Sequence, residues 1–347
     1  MKQEIIDKIN RLASQDEPFL FVINYQADEA FIRKLSDINP EECLFDFEGK
    51  GNFSHARKET WKEEISETTW QIDPPLYEDY EQSFNIVKSN IMAGNSYLTN
   101  LTNRVPVSCN LSLEEIFHRA KGKYKLLLRR KRTQAEDKAH LKEENIEENL
   151  TPFVCFSPET FVRIKGGRIY SYPMKGTLDA SLPNAEKLLM EDRKEAAEHA
   201  TIVDLIRNDL SRVAEDVRVD KYRYVDVLHT NKGDILQTSS EISGRLPEDY
   251  PHHLGEILDA QLPAGSITGA PKDKTMQIIQ EAEGYDRGFY TGIMGIYDQG
   301  ELNSAVMIRF IEEETSPVDF EADGEKNFKA NEGKKPKKSR KLYFKAG

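Results

Sequence analysis

The sequence predicts an α+β fold: one large two-layer unit of antiparallel sheets with outer helices. Short apolar runs of strand length come in blocks, and helical stretches come in blocks of their own, whereas a parallel sheet with crossover helices would alternate the two. The pair Gly166-Gly167 joins two such runs, and two glycines tolerate the positive φ of a tight antiparallel turn. With 347 residues the chain is long enough for two ordinary domains or one large unit, and either buries a sizeable core.

Residues 3–14 (QEIIDKINRLAS) repeat apolar residues at helical spacing, and Phe19-Leu20-Phe21-Val22-Ile23 is an apolar run of buried-strand length. Leu44-Phe45-Asp46-Phe47 and Trp70-Gln71-Ile72 are short strand candidates. Residues 77–93 read as a helix stopped by Gly94, a residue favoured just past a helix end. Tyr97 to Val107 alternates as a single strand. Phe153-Val154-Cys155-Phe156, Phe161-Val162-Arg163-Ile164 and Ile169-Tyr170-Ser171-Tyr172 are strands, the last two joined by Lys165-Gly166-Gly167-Arg168. Residues 183–214 contain a long helix, and another follows Pro271 over 272–283. Strands resume at Thr291–Tyr297 and Ser304–Phe310.

Two segments read as charged insertions, 129–150 and 313–341. Both are too poor in apolar residues to offset the entropy of ordering them. The second ends in KKPKKSRK, where six of eight residues are basic, which suits a solvated loop or a nucleic-acid or targeting patch. The whole chain carries 48 Lys plus Arg against 60 Asp plus Glu, a formal charge of −12. That balance argues against nucleic-acid and anionic-membrane partners. Three cysteines, Cys43, Cys109 and Cys155, form no paired motif and exclude a disulfide scaffold or a Cys-rich zinc site. The N-terminus has no secretory pattern and no run approaches 18 apolar residues, so a cytoplasmic protein is expected.

Three constellations carry chemistry. First, a two-residue turn at Gly166-Gly167 pairs residues whose numbers sum to 333. That brings Glu159 and Lys175 to the same end of one hairpin, with the face used by Lys175 left open by Pro173 and Gly176. The plain alternative is a cross-strand ion pair, worth under about 1 kcal/mol when exposed. Second, at 100° per residue Glu198, Ile202, Leu205, Asp209 and Arg212 share one helix face. Polar groups on a buried face imply metal ligation or an acid–arginine network. Third, Pro263-Ala264-Gly265-Ser266-Ile267-Thr268-Gly269-Ala270-Pro271-Lys272 fails the spacing of a phosphate-binding P-loop. It remains a glycine-rich turn before a helix, whose free N–H groups suit an anionic ligand.

These segments, with Ser157-Pro158-Glu159-Thr160-Phe161, Pro173-Met174-Lys175-Gly176-Thr177, Glu198-His199, Val203 to Asp209, Arg287-Gly288-Phe289-Tyr290-Thr291-Gly292 and Ile308-Arg309, occur in an order that resembles the chorismate-utilizing enzymes. The resemblance spans roughly residues 80–347. It implies an N-terminal subregion, 1–80, of the same unit and a chorismate-binding catalytic region, 81–347. Lysine at 175 resembles component I of aminodeoxychorismate synthase; anthranilate synthases carry a small residue there. The resemblance implies that Lys175 attacks C2 of chorismate as the C4 hydroxyl leaves. Ammonia from a glutamine amidotransferase partner then enters at C4 and expels the lysine, giving 4-amino-4-deoxychorismate for folate synthesis.

It further implies Glu159 as general acid and Glu198 as a Mg²⁺ ligand. Gly176, Thr177, Ser266, Thr268, Gly269, Tyr290 and Arg309 fall near the substrate, Arg309 gripping a carboxylate. A lysine is a useful nucleophile near pH 7 only when desolvated or beside other positive charge. A carboxyl acts as an acid there only when burial raises its pKa. Family members continue beyond the equivalent of Gly347 with a helix bearing further metal-binding glutamates. The alternatives are therefore anthranilate synthase component I or another enzyme of the family, or an inactive truncated fragment that keeps only a partner-binding surface.

Overall fold

Helix α1 (Gln3–Ser14) buries Ile5, Ile6, Ile9, Leu12 and Ala13, the stripe its sequence spacing demands. Strand β1 (Phe19–Ile23) follows, with every residue buried. The reason is its central position: Phe19, Phe21 and Ile23 face one apolar cluster with α1, while Leu20 and Val22 face another between two sheets. The structure, a computed structural model, describes residues 1–53, 67–129, 151–230, 233–316 and 339–347.

The chain continues through β2 (Ala30–Lys34), β3 (Cys43–Phe47), β4 (Lys50–Gly51), β5 (Trp70–Ile72), α2 (Tyr77–Met92), β6 (Leu98–Thr99), β7 (Asn103–Cys109) and α3 (Leu113–Arg119). It then forms β8 (Tyr124–Leu128), β9 (Phe153–Ser157), β10 (Thr160–Lys165), β11 (Arg168–Ser171) and β12 (Met174–Asp179). Next come α4 (Ala185–Glu191), α5 (Arg193–Leu210), β13 (Glu215–Thr230), β14 (Gly233–Arg245) and α6 (Leu254–Gln261). The last elements are α7 (Gly265–Thr268), β15 (Gly269–Ala270), α8 (Lys272–Glu283), β16 (Ile293–Asp298), β17 (Glu301–Val306), β18 (Phe310–Ser316) and β19 (Ser339–Ala346).

Two antiparallel sheets result. In the first, β14 carries β13 on one side and both β11 and β12 on the other, and β11 leads on through β10, β17, β16 and β1 to β2. The second runs β4-β3-β8-β9-β18-β19-β7-β5. Phe45, Phe47, Tyr124, Leu126 and Phe153 fill the space between them, and α3 covers the far side of the second sheet through Ile116 and Phe117. The α+β expectation is met, with helices outside the paired sheets.

The Gly166-Gly167 turn has the expected form. Both glycines have positive φ, 56° and 70°, and Arg163 pairs with Tyr170, Ile164 with Ile169 and Lys165 with Arg168. The long helix expected within 183–214 is α5, which Asp192 begins by accepting at its carboxylate from the amides of Lys194 (2.9 Å) and Glu195 (3.0 Å). Three other expectations need correction. The strand expected over 97–107 is two pieces, because Leu98-Thr99 pairs with β15 while Asn103–Cys109 joins β19 in the second sheet. The strand expected over 304–310 is also two pieces, with β17 ending at Val306 and β18 beginning at Phe310. The charged segment expected over 313–341 is narrower, since Glu313 pairs with Leu342 and Glu314 with Lys341. Residues 317–338, and 130–150 of the first charged segment, lie outside the described residues.

The two-stranded β6–β15 ladder forces a close approach. Gly269 has φ 127°, and a Cβ there would stand 1.9 Å from the Leu98 carbonyl oxygen. Gly269→Ala is expected to cost about 3 kcal/mol or more and to lower the thermal midpoint by about 5 °C or more. Gly284→Ala, where nothing lies within 4 Å of the added carbon, should move it less. Calorimetry on the two variants checks this.

Candidate active site

Glu159 lies where the chain leaves β9 in the second sheet and enters β10 in the first. Its amide donates to Ser157 Oγ (3.1 Å) and its carbonyl accepts from the Val306 amide (3.2 Å), so the backbone is fixed from both sheets. Its Oε1 accepts from Ser266 Oγ at 2.5 Å. Ser266 stands on α7, the glycine-rich turn singled out in the sequence. Burial pushes the Glu159 carboxyl above its ordinary pKa, against the Ser266 hydrogen bond and the Lys175 charge, which pull it down.

Lys175 is close enough for its charge to act on Glu159, yet the two are not a cross-strand pair. β11 pairs with β10 only as far as Tyr170, and the chain beyond Pro173 runs along β14, where Lys175 lies opposite Thr238. The Thr238 hydroxyl donates to the Lys175 carbonyl. Among the described residues the Lys175 ammonium makes no hydrogen bond or ion pair, so the plain surface ion pair is not what the fold builds. At Gly176 (φ 75°) the register shifts between Lys175 and Thr177. A Cβ at 176 would lie 3.1 Å from Glu195 Oε2 and 3.3 Å from Leu189 Cδ1, so glycine lets α5 press against the strand.

The cavity beside Glu159 is lined by Tyr172, Pro173, Asp209, Gln261, Gly265 and Ser266, among others, and measures about 20 Å³. That admits one water, so any larger ligand requires the walls to part. One wall is a buried ion pair, Asp209 Oδ2 to Lys272 Nζ at 2.8 Å. Lys272 also donates to the Gln261 carbonyl (2.9 Å), and Gln261 Nε2 to the Asp209 carbonyl (2.9 Å). Burial raises the Asp209 pKa and lowers that of Lys272.

The remaining expected residues are spread around this centre. Thr268 is fully buried on α7 with its hydroxyl toward that of Tyr25, and Gly269 follows it. Thr177 is exposed on β12. Tyr290 is buried between the sheets, its ring 5.8 Å from that of Phe310. Arg309 is exposed, has φ 56°, and its guanidinium makes no bond among the described residues. Neither Tyr290 nor Arg309 lines the Glu159 cavity.

Glu198 is partly exposed on α5, 3.7 Å from the Lys194 ammonium. His199 beside it is wholly buried with Nε2 at 2.7 Å from Ser240 Oγ. Burial first, and then the Arg223 charge, lower its pKa to about 4, so it is neutral at pH 7. Glu195 and Glu198 sit one helical turn apart and offer two carboxylates. No group of three or more His, Cys, Asp or Glu side chains gathers in ligating range among the described residues. Two carboxylates alone do not complete a Mg²⁺ shell. Sequence reasoning did not single out Glu195, Thr238 or the Lys272–Gln261 bond. Their partners are backbone atoms or residues distant in the chain, which leave no local pattern.

The Glu159 carboxyl at the seam of two packed antiparallel sheets, beside a glycine-rich turn and within reach of the Lys175 charge, is the centre of the candidate site. The chorismate binding enzyme family model matches residues 54–324, and the chain belongs to that family. Over 322 residues it is 44% identical to an uncharacterized PabA-like protein of Haemophilus influenzae, covering 93% of this chain and 90% of that one. Aminodeoxychorismate synthase component 1 of Bacillus subtilis is 31% identical over 261 residues, 73% of this chain and 51% of that one. Anthranilate synthase component I of Streptococcus pneumoniae shares the fold with a TM-score of 0.56 at 18% identity, over 85% of this chain and 72% of that one. No helix among the described residues is long and apolar enough to cross a membrane.

Proposed function

We propose that the chain converts chorismate and ammonia to 4-amino-4-deoxychorismate through a covalent adduct on Lys175. The observation that carries this reading is the Lys175 amine, bonded to no acid among the described residues, beside a Glu159 carboxyl that burial biases toward its protonated form. The proposed step needs Lys175 as the nucleophile and Glu159 in its protonated form as the acid. Lys175 Nζ then bonds to C2, both conjugated ring double bonds shift, and the C4–O bond breaks with the Glu159 proton leaving in water. Ammonia attacks C4, both double bonds shift back, and the C2–N bond to Lys175 breaks. Gly176 and the β12–β14 ladder orient the lysine, while Ser266 orients the acid. Glu198, with Glu195, is proposed to contribute carboxylates to a Mg²⁺ ion that would neutralise a substrate carboxylate. A glutamine amidotransferase subunit is the proposed ammonia source.

The 31% identity to an aminodeoxychorismate synthase component supports this reading. The test is to incubate the protein with chorismate, ammonium and Mg²⁺ and identify the product by mass spectrometry and fluorescence. 4-Amino-4-deoxychorismate is expected; fluorescent anthranilate, or isochorismate formed without ammonium, would replace the assignment with another enzyme of the family.

A further inference from the structure

Arg287 lies between α8 and β16 and is 2% exposed. All five of its N–H donors are taken. Nε donates to Glu283 Oε2 (2.9 Å), and Nη2 donates to Glu283 Oε1 (2.6 Å) and to the Asn100 carbonyl (2.7 Å). Nη1 donates to the Ile267 carbonyl (3.0 Å) and to Thr291 Oγ1 (3.3 Å). Glu283 is equally engaged, since its Oε1 also accepts from the Thr102 amide (2.7 Å) and hydroxyl (2.8 Å). The Tyr25 ring packs on the guanidinium at 4.7 Å.

Ile267 sits between Ser266 and Thr268 on α7, and the Asn100 amide donates to the Thr268 carbonyl at 3.0 Å. The guanidinium fork therefore fixes two carbonyls, one on α7 and one on the segment bonded to it. Tyr25, whose ring packs on the guanidinium, also turns its hydroxyl toward Thr268 of the same turn. An apolar contact could stabilise this junction at least as well as a buried ion pair. What a planar fork adds is the placement of specific oxygens, which a lysine's single ammonium cannot reproduce.

We propose that Arg287, oriented by Glu283, is a positioning residue that holds α7 so that Ser266 meets the Glu159 carboxyl. This inference rests on the reading of Glu159 as the general acid. Glu159 is faced by Ser266 from α7 and by Lys175 from β12, and its cavity is also lined by Tyr172 and by Asp209, which is paired with Lys272. Ser266 donates its hydrogen bond to the carboxylate, so loosening that bond favours the protonated form.

The test is direct titration of Glu159 by ¹³C NMR on glutamate-labelled protein, with Glu159→Gln identifying the signal. Ser266→Ala and Arg287→Lys are each expected to move the titration upward by about half a pH unit or more. The double variant should move it no further than the larger single shift. The alkaline limb of kcat should follow. Glu283→Gln, which keeps the shape but exchanges one acceptor oxygen for a donor NH2, is the second variant should Arg287→Lys fail to fold, and a smaller shift of the same sign is expected. An Arg287→Lys protein that is merely less stable, with Glu159 titrating as in the parent, overturns the inference, and so does an unchanged titration in Ser266→Ala. If Glu159→Gln keeps the parent turnover, the acid assignment fails instead, while the titration still reports on the clamp.

Discussion

Lys175→Ala is expected to lower ammonium-dependent chorismate turnover by about a thousandfold or more, because no other group can take the place of the amine at C2. Lys175→Arg should be as inactive, since a guanidinium keeps the charge but is not a nucleophile near pH 7. Neither change should disturb the fold. The side chain makes no hydrogen bond or ion pair among the described residues, and position 175 is held through its backbone opposite Thr238. Chorismate affinity, measured by calorimetry, should fall far less than turnover. A Lys175→Ala protein within tenfold of the parent rate would remove the covalent step.

Glu159→Gln is expected to lower turnover by roughly a hundredfold to ten-thousandfold, the usual worth of a positioned general acid. The amide can still accept from Ser266 but cannot deliver a proton to the departing oxygen. Two pH dependences follow from the raised pKa of Glu159. Parent activity should fall as pH rises through that pKa, because the ionised form is the wrong one. Stability moves the same way. A carboxyl whose folded pKa exceeds its unfolded value contributes fully below the unfolded pKa, and the contribution is lost as pH rises through the folded pKa. Thermal scans should therefore show Glu159→Gln gaining on the parent as pH increases across that window. Parallel curves would mean that the carboxyl is not held against ionisation.

Much of the fold was legible because its signals are local. The α1 stripe, the all-apolar β1 and the Gly166-Gly167 register need no knowledge of distant chain. Boundaries failed where a distant partner decides them. Leu98-Thr99 leaves the line of β7 because Gly269-Ala270 claims it. β13 and β14 went unread, because the charged and aromatic residues of β13 hide an alternation that only pairing reveals. In the candidate site, Glu159 and Lys175 were identifiable from motif order. Their spatial relation was not, since it depends on β12 continuing along β14 rather than beside β10. Arg287 was part of a matched motif without a role, because two of its partners are backbone carbonyls.

The double-sided burial of β1 has a consequence for how the chain is made. Phe19 pairs with Tyr297 and Ile23 with Ile293, so the central neighbour of β1 is synthesised almost a whole chain length later. Until then the run FLFVI has only β2 and α1 to shield it. Closing so long a loop before the pairing is rewarded places this fold among slowly folding topologies. During that interval the nascent chain displays an uncharged, β-prone edge of the kind that favours association with other chains. Faithful production of the enzyme therefore depends on keeping that strand single until the far end of the protein arrives.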